Sequence, residues 1–570
     1  MSGSELSNRN ISDSDLLKYK DNNNTIKINE LHQNLFLNNS LKIDNISLNE
    51  YELEISNIHF NGKIEIIISN SNFKKITIGN INSEVFINIW SQDENSECDL
   101  NFNNLENDEN KIRLYSLNII NTCDLIRQCN FRKLDLKYIK LKFEGDESHN
   151  FSKVIRDSTI NELQIFKCKF NSYAHFHQNR FKNIRIEKSN FKYNVDFEIA
   201  NMLNKNKNPI DISGISIIDC CFENTLSLSD KCQYCDNKFT INLIQISKTE
   251  INNKSDFIFE NTKIDKMLFV FDSKKKNDLK IIINQVVSLE LQGELNSDTN
   301  EKLDINIENL TNFDISNFKN YGKIECSIGQ LKELLSISNS NLGDFNISNL
   351  SIVNLQTFTI RNSSINNLKL YTIIWGDSIL KLNKINSATE KNENILKNAL
   401  RDYNGAKNLK MVVETNNDLT AKDFTIQREF ELFKEYIKAK NSNLTCFERL
   451  FEKNNLILSF GKINDYGRGF YKPALLFVCG NVILTALITF LYYFLPSMDL
   501  SNFTQKVPFF KTAIKIFELQ VSPLPGFGNL SSSKYNYLFF FLLPIVILIK
   551  AVNIILVYQI VEAFRKYIRK

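Results

Sequence analysis

An eight-residue pattern recurs along the first two-thirds of this chain: apolar, any, apolar, any, polar, any, any, apolar. It reads LEISNIHF from Leu53, IIISNSNF from Ile66, LQIFKCKF from Leu163, IRIEKSNF from Ile184 and ISIIDCCF from Ile215. It returns as IQISKTEI from Ile244, FIFENTKI from Phe257, LSISNSNL from Leu335 and FTIRNSSI from Phe358. The alternating start is a short strand with one face buried. The polar residue that follows suits a corner where a side chain caps backbone groups, and the last apolar residue re-enters the core. Start-to-start separations include 13, 21, 23, 29 and 31 residues. Periods near 20 point to single coils of a β-solenoid, with loops supplying the excess. A β-sandwich explains the alternation but not a repeat sustained over roughly 310 residues. If the units at Leu163 and Ile184 stack in successive coils, Ile165 and Ile184 are expected about 4.8 Å apart.

One stretch is stricter. Phe176, Phe181, Ile186 and Phe191 recur every five residues, as in four-sided pentapeptide-repeat coils, but the small residue two places earlier is present only as Ala174. The expected fold is therefore all-β, a right-handed β-solenoid over residues 26–385. It is pentapeptide-repeat-like but closer to an irregular β-helix, and a flexible N-terminus over residues 1–25 precedes it.

The eleven cysteines follow no disulfide-framework spacing and their number is odd, which suits free thiols in a reducing compartment. Cys220, Cys221, Cys232 and Cys235 are weak candidates for a metal site, because adjacent cysteines are awkward ligands. His175 and His177 alternate with Phe176, which places both on the outer face of a strand. The chain has no P-loop, no GxGxxG after a strand, no GxSxG and no HExxH. No catalytic residue and no cofactor are expected, and the protein does not read as an enzyme. The N-terminal MSGSELSNRNISDSDLLKYK lacks an apolar core, so no cleavable signal is expected and the body should stay in the cytosol.

Charge is divided unevenly. Residues 1–385 carry 45 Lys+Arg against 50 Asp+Glu, and residues 386–570 carry 24 against 15. The positive excess sits near two apolar runs, Ala474 to Leu495 and Tyr537 to Ile560, each long enough to cross a hydrocarbon core about 30 Å thick as a helix. A basic flank is what cytosolic ends of membrane helices carry, and no nucleic-acid partner is expected from it. Within about 17 residues of the runs, seven cations lie on the proposed cytosolic side and four in the intervening loop, which favours both termini inside.

Between body and runs the periodicity becomes helical. NENILKNALRDYNGAKNLKMVVE and TAKDFTIQREFELFKEYIKAK are rich in helix formers, Thr420 is placed to cap the second, and a third helix is expected over residues 446–458. The connector spans 386–473 and the two-helix module 474–570. In the first run Asn481, Thr485 and Thr489 form one polar stripe at i, i+4 and i+8. In the second, Lys550 sits mid-run with Asn553 nearly on its face and Pro544 upstream; a buried charge there faces a cavity or a partner. The loop 507–528 has the layout of a re-entrant pore helix and return, with Glu518, Ser522, Gly526 and Gly528 as pore-loop candidates.

LKMVVETNNDLTAKDFTIQREFELFK (Leu409 to Lys434), NDYGRGFYKP (Asn464 to Pro473) and the ending AFRKYIRK resemble bacterial pentapeptide-repeat or β-helix membrane proteins with a C-terminal two-helix, pore-loop ion-channel-like module. The resemblance covers roughly Asn394 to Lys570. It implies that Ala421, Phe424, Glu429, Asp465, Tyr466, Gly467 and Pro473 couple the cytosolic helices to the membrane entry. The function expected is a solenoid at the bacterial inner membrane whose homo-oligomer forms a pore gated by a cytosolic ligand or protein. Lys550, Asn553, Asn481, Thr485 and Thr489 would line that pore. The alternative is a non-conducting scaffold with the solenoid as docking surface.

Overall fold

The structure is a computed structural model. It describes residues 11–384 apart from connecting stretches, the longest being 144–152, 200–211 and 230–238, and then 395–442, 471–494 and 547–558 with a few single positions. The chain divides into two units, residues 1–386 with Met411–Asn417 and the remainder.

The first unit is a β-solenoid. Among the described residues its 29 strands form one sheet in which every ladder between strands is parallel. Two inward columns run through it unbroken. The first passes from Ile28 through Ile55, Ile78, Phe102, Ile126, Ile155, Phe176, Phe197, Leu228 and Phe257 to Ile281, Ile305, Cys326, Ile347 and Leu370. The second passes from Leu41 through Ile66, Ile87, Ile112, Leu134, Leu163, Ile184, Ile215 and Ile244 to Met267, Leu289, Phe313, Leu335 and Phe358. A third, narrower face is lined by Ile119, Leu141, Phe170, Phe191, Phe222 and Ile251. Apolar side chains alternate inward along each strand because the strand period is two.

These columns explain the eight-residue units. Seven of them lie on the second face, while the units at Leu53 and Phe257 lie on the first. The 13-residue separation is therefore a step from face to face, not a coil. Whole coils run from 21 residues, Leu163 to Ile184, to 31, Ile184 to Ile215. The expected contact of Ile165 with Ile184 is corrected: Ile184 stacks on Leu163, and Ile165 on Ile186. The five-residue spacing places Phe176 on the first face, Ile186 on the second and Phe191 on the third.

The polar fifth residue of the unit is a left-handed corner. Asn70, Lys167, Lys188, Asp219, Lys248, Asn339 and Asn362 all have φ between 46° and 56°. Asparagine tolerates this region better than most L-residues, which accounts for its abundance. The residue after each corner is small and polar, and it faces inward. Ser189 Oγ accepts the N–H of Cys168 at 3.1 Å and donates to the Glu187 carbonyl at 2.9 Å. Ser340 and Ser363 repeat this arrangement.

The rings of the third face stack. Phe170 and Phe191 have centroids 4.5 Å apart and Phe191 and Phe222 4.8 Å, each pair nearly coplanar in orientation. On the first face Phe176 and Phe197 stack at 4.2 Å. The N-terminal segment, expected to be flexible to residue 25, is folded from Ile11. Ile11 bridges to Ile43, and helix α1 (Asp13–Leu17), capped by Ser12, buries Leu16 completely. Covering the open apolar end of a solenoid is the physical reason for such a cap.

The second unit contains helices α2 (Ile395–Thr415, most of it), α3 (Leu419–Lys440), α4 (Tyr471–Phe494) and α5 (547–558). The cap of α3 is Asp418, whose carboxylate accepts the N–H of Ala421 at 3.0 Å, and not Thr420. Asp418 occupies the position before the first helical residue, where a side-chain oxygen can reach the orphan donors. The third connector helix expected over 446–458 lies outside the described residues.

Candidate functional site

Helices α4 and α5 meet through two asparagines. Asn481 Nδ2 donates to Asn553 Oδ1 at 3.0 Å, and Asn553 Nδ2 donates to Asn481 Oδ1 at 2.7 Å. Both side chains are buried, with Asn481 2% exposed. Asn481 also donates to the Phe477 carbonyl one turn back. The inward line of α4 is Pro473, Asn481 and Thr485, and that of α5 is Ile549, Asn553 and Leu556. These spacings of four, or of seven and eight, keep side chains on one face of a helix.

The outward faces are apolar. Val478, Val482, Ile483 and Leu487 on α4 and Ile547, Leu548, Ile554 and Val557 on α5 are all exposed, Leu548 to 66%. The pair thus holds two amides in its contact and exposes hydrocarbon on both helices. Lys550, half-buried, lies within a turn of Asn553.

Of the expected pore-lining residues, the structure brings Asn481 and Asn553 together within one chain. Thr485 is buried one turn away, and the Thr489 side chain lies outside the described residues. The pore-loop candidates Glu518, Ser522, Gly526 and Gly528, and Pro544, also lie outside them. Among the described residues no helix is long and apolar enough to cross a membrane. The side chains of α4 are described to Leu487 and at Phe490, and α5 spans 547–558, so both apolar runs are seen only in part.

In the connector, Glu429 of α3 accepts Lys410 of α2 at 2.9 Å, and Tyr403 packs on Phe433 and Tyr436. Burial raises the Tyr403 hydroxyl above its ordinary range, aided by the nearby Glu429 charge. Phe424 is half-buried and Ala421 fully buried. Pro473 is in the first turn of α4, where its missing N–H costs nothing. Asp465, Tyr466 and Gly467 lie outside the described residues.

On the solenoid, Cys220 faces inward and donates from Sγ toward the Ile218 carbonyl at 3.3 Å, while Cys221 is half-exposed on the other side of the strand. The two cannot turn their sulfurs to one ion, and Cys232 and Cys235 lie outside the described residues. Cys129 and Cys168 hold the same post-corner position, with Sγ 3.1 and 3.4 Å from the carbonyl two residues back. These cysteines stand where other coils place Ser or Thr, a signal visible in the units LQIFKCKF and ISIIDCCF. Burial pushes all three thiols up to about 12. Among the described residues no group of His, Cys, Asp and Glu could hold a metal ion.

His175 corrects another expectation. It lies on the outer side of its strand yet is buried, because Tyr173 packs edge-on against it at 5.8 Å and the Tyr173 hydroxyl is tied to Asp196 at 2.9 Å. His177 has no described side chain. No family model, curated protein or solved structure matches the chain.

Proposed function

We propose that the protein is a membrane-anchored β-solenoid. Its α4–α5 pair is seated in the bilayer and assembles with copies of itself into an ion-channel-like pore, and the solenoid is the interaction domain that gates it. One observation carries the reading: the pair buries Asn481 and Asn553 against each other and exposes a face of leucines, isoleucines and valines on each helix. Such an arrangement loses free energy in water, at about 25 cal/mol per Å² of exposed apolar surface, and suits lipid. The continuation of both helices in apolar sequence, to Leu495 and back to Tyr537, supplies the remaining length. Lys550 adds a charged side chain to α5, of a kind that in membrane helices marks an aqueous interior or a polar contact. Two helices per chain cannot enclose a pore, so a closed ring of copies is required. The inner membrane, with both termini cytosolic, follows from the distribution of Lys and Arg.

The test is ion flux into liposomes holding the full-length protein, with the oligomeric state read in detergent and in nanodiscs. Flux from a multimer supports the pore; one protomer per particle in every environment overturns it. A non-conducting scaffold is the second reading. It is favoured by the Asn481–Asn553 pair itself, which satisfies two of the expected lining residues inside one protomer. A multimer or monomer that inserts but conducts nothing under any tested salt selects the scaffold.

A further inference from the structure

The solenoid's charge is segregated along its length. Residues 111–192 carry 17 Lys+Arg against 8 Asp+Glu, whereas the rest of residues 1–385 carries 28 against 42. A whole-body charge near neutrality therefore conceals a basic belt, separate from the C-terminal basic flank from which no nucleic-acid partner is expected.

The belt concentrates at one corner. Lys140 and Lys169 are register partners on the third face. Lys167 and Lys188 occupy the left-handed corner of the coils that begin at Leu163 and Ile184. Successive coils are one strand spacing apart, about 4.8 Å, so the four lysines form a short line of two adjacent pairs along the solenoid axis, Lys140 and Lys169 in one column and Lys167 and Lys188 in the next. Lys167, Lys169 and Lys188 are exposed. The line ends where Asp219 succeeds Lys188 at the corner.

Aromatic rings run beside it. Tyr115 meets Tyr138 edge-on at 5.2 Å, and Tyr138 meets Phe166 at 5.8 Å. Lys167 Nζ lies 5.3 Å from the centroids of both Tyr138 and Phe166. Tyr115 and Tyr138 are exposed. Next to the rings, three cations surround one buried carboxylate: Asp135 Oδ2 lies 3.2 Å from Lys137, 3.8 Å from Lys133 and 3.9 Å from Arg113. Asp135 is 2% exposed and its other oxygen has no hydrogen-bond partner. One anion beneath three cations fixes their positions and leaves their excess charge facing outward.

We propose that this corner is a binding site for single-stranded nucleic acid, its phosphates lying along the lysine line and its bases against the Tyr115–Tyr138 rings. A line of cations beside exposed rings matches the two halves of such a strand, a repeating anion and a series of flat π-faces. An anionic bilayer would use the cations but not the ordered rings. The site belongs to the solenoid alone and does not depend on the membrane reading.

The experiment is fluorescence anisotropy of a labelled 15-nucleotide oligo(dT) with the full-length chain in detergent. The variant Lys167→Glu/Lys169→Glu/Lys188→Glu should bind about 30-fold more weakly and show a shallower salt dependence. A control with the same charge change, Lys74→Glu/Lys332→Glu/Lys384→Glu, should lose only a few-fold. Tyr138→Ala should lose about tenfold for the oligonucleotide and nothing for heparin, which has no bases. Circular dichroism checks the fold, and Lys→Gln replacements at the three sites give a milder series. Equal losses in the two triple variants overturn the proposal. So does an unchanged Tyr138→Ala, or binding to anionic vesicles with none to the oligonucleotide.

Discussion

Asn416 takes the place of a missing strand beside Leu370. Its Oδ1 accepts the Leu370 N–H at 3.2 Å, and its Nδ2 reaches the Leu368 carbonyl at 3.4 Å and the Val412 carbonyl at 2.7 Å. Leu368–Tyr371 is the last strand of the first face, and the next coil would have supplied these bonds. Asn416 lies just beyond the end of α2, and Met411–Asn417 belongs to the solenoid unit while the start of the helix belongs to the second. One helix thus belongs to both.

Asn416→Ala should fray the last coil. The loss expected is about 1–2 kcal/mol of local stability, read as faster hydrogen exchange at the Leu370 amide with exchange at Ile305 unchanged. Equal acceleration at both sites would show that Asn416 has no local role.

The two amides of the helix pair should be coupled. Asn481→Leu and Asn553→Leu each leave one amide buried without its partner, so each is expected to destabilise the pair by about 1 kcal/mol. The double variant should cost less than the sum of the two, because both polar groups are then gone. Denaturation in mixed micelles measures the cycle, and strict additivity would count against the pairing.

Cys129, Cys168 and Cys220 should resist alkylation in the native protein at pH 8 and react once it is unfolded. Their thiols are held at about 12, against an ordinary 9.0, by burial. The folded state therefore keeps protons that the unfolded state releases between those limits. Below about pH 9 this stabilisation is fully present, and it is lost as pH rises from there toward about 12. Mass spectrometry of alkylated peptides and alkaline melting both test it; modification of Cys168 in the native state would refute the inward placement.

Phe191→Ala should be among the most damaging substitutions in the solenoid, about 3–5 kcal/mol. It removes a fully buried ring held between Phe170 and Phe222. Denaturant midpoints measure the loss, and a cost below about 1 kcal/mol would mean the column closes over the gap.

Gly293→Ala should be destabilising although the change is a single methyl. Gly293 has φ +86° at a coil corner, and a Cβ there would collide with the Phe271 carbonyl oxygen. A left-handed backbone costs an alanine about 1–2 kcal/mol before that clash is added. A thermal midpoint no lower than wild type would show that the corner rearranges freely.

The strand pattern was legible in the sequence because alternation reports which side of a strand is buried. Register was not, and Ile184 shows why. Pairing it with Leu163 or with Ile165 leaves every side chain on the same face, since the two choices differ by a full period of two. The corners decide the matter: Lys167 and Lys188 stack as left-handed residues, 21 apart. His175 failed for a related reason, because alternation assigns a side but does not see Tyr173 covering it. At the helix pair, the stripe of Asn481 and Thr485 was visible as a four-residue spacing. Its partner Asn553 lies 72 residues on, and no periodicity links side chains that meet only across two helices.

Coil length varies from 21 to 31 residues between Leu163 and Ile215, yet the same columns run through without a break. Pairing in the same register is present on both sides of the longer connection, at Phe197 and again at Ile215. The solenoid therefore counts storeys and not residues: each adds about 4.8 Å of height whatever its chain length. The number of residues between paired positions can differ from coil to coil without moving any wall. What happens at one end of the tower is then kept at a fixed distance from its top, however much its storeys differ in chain length.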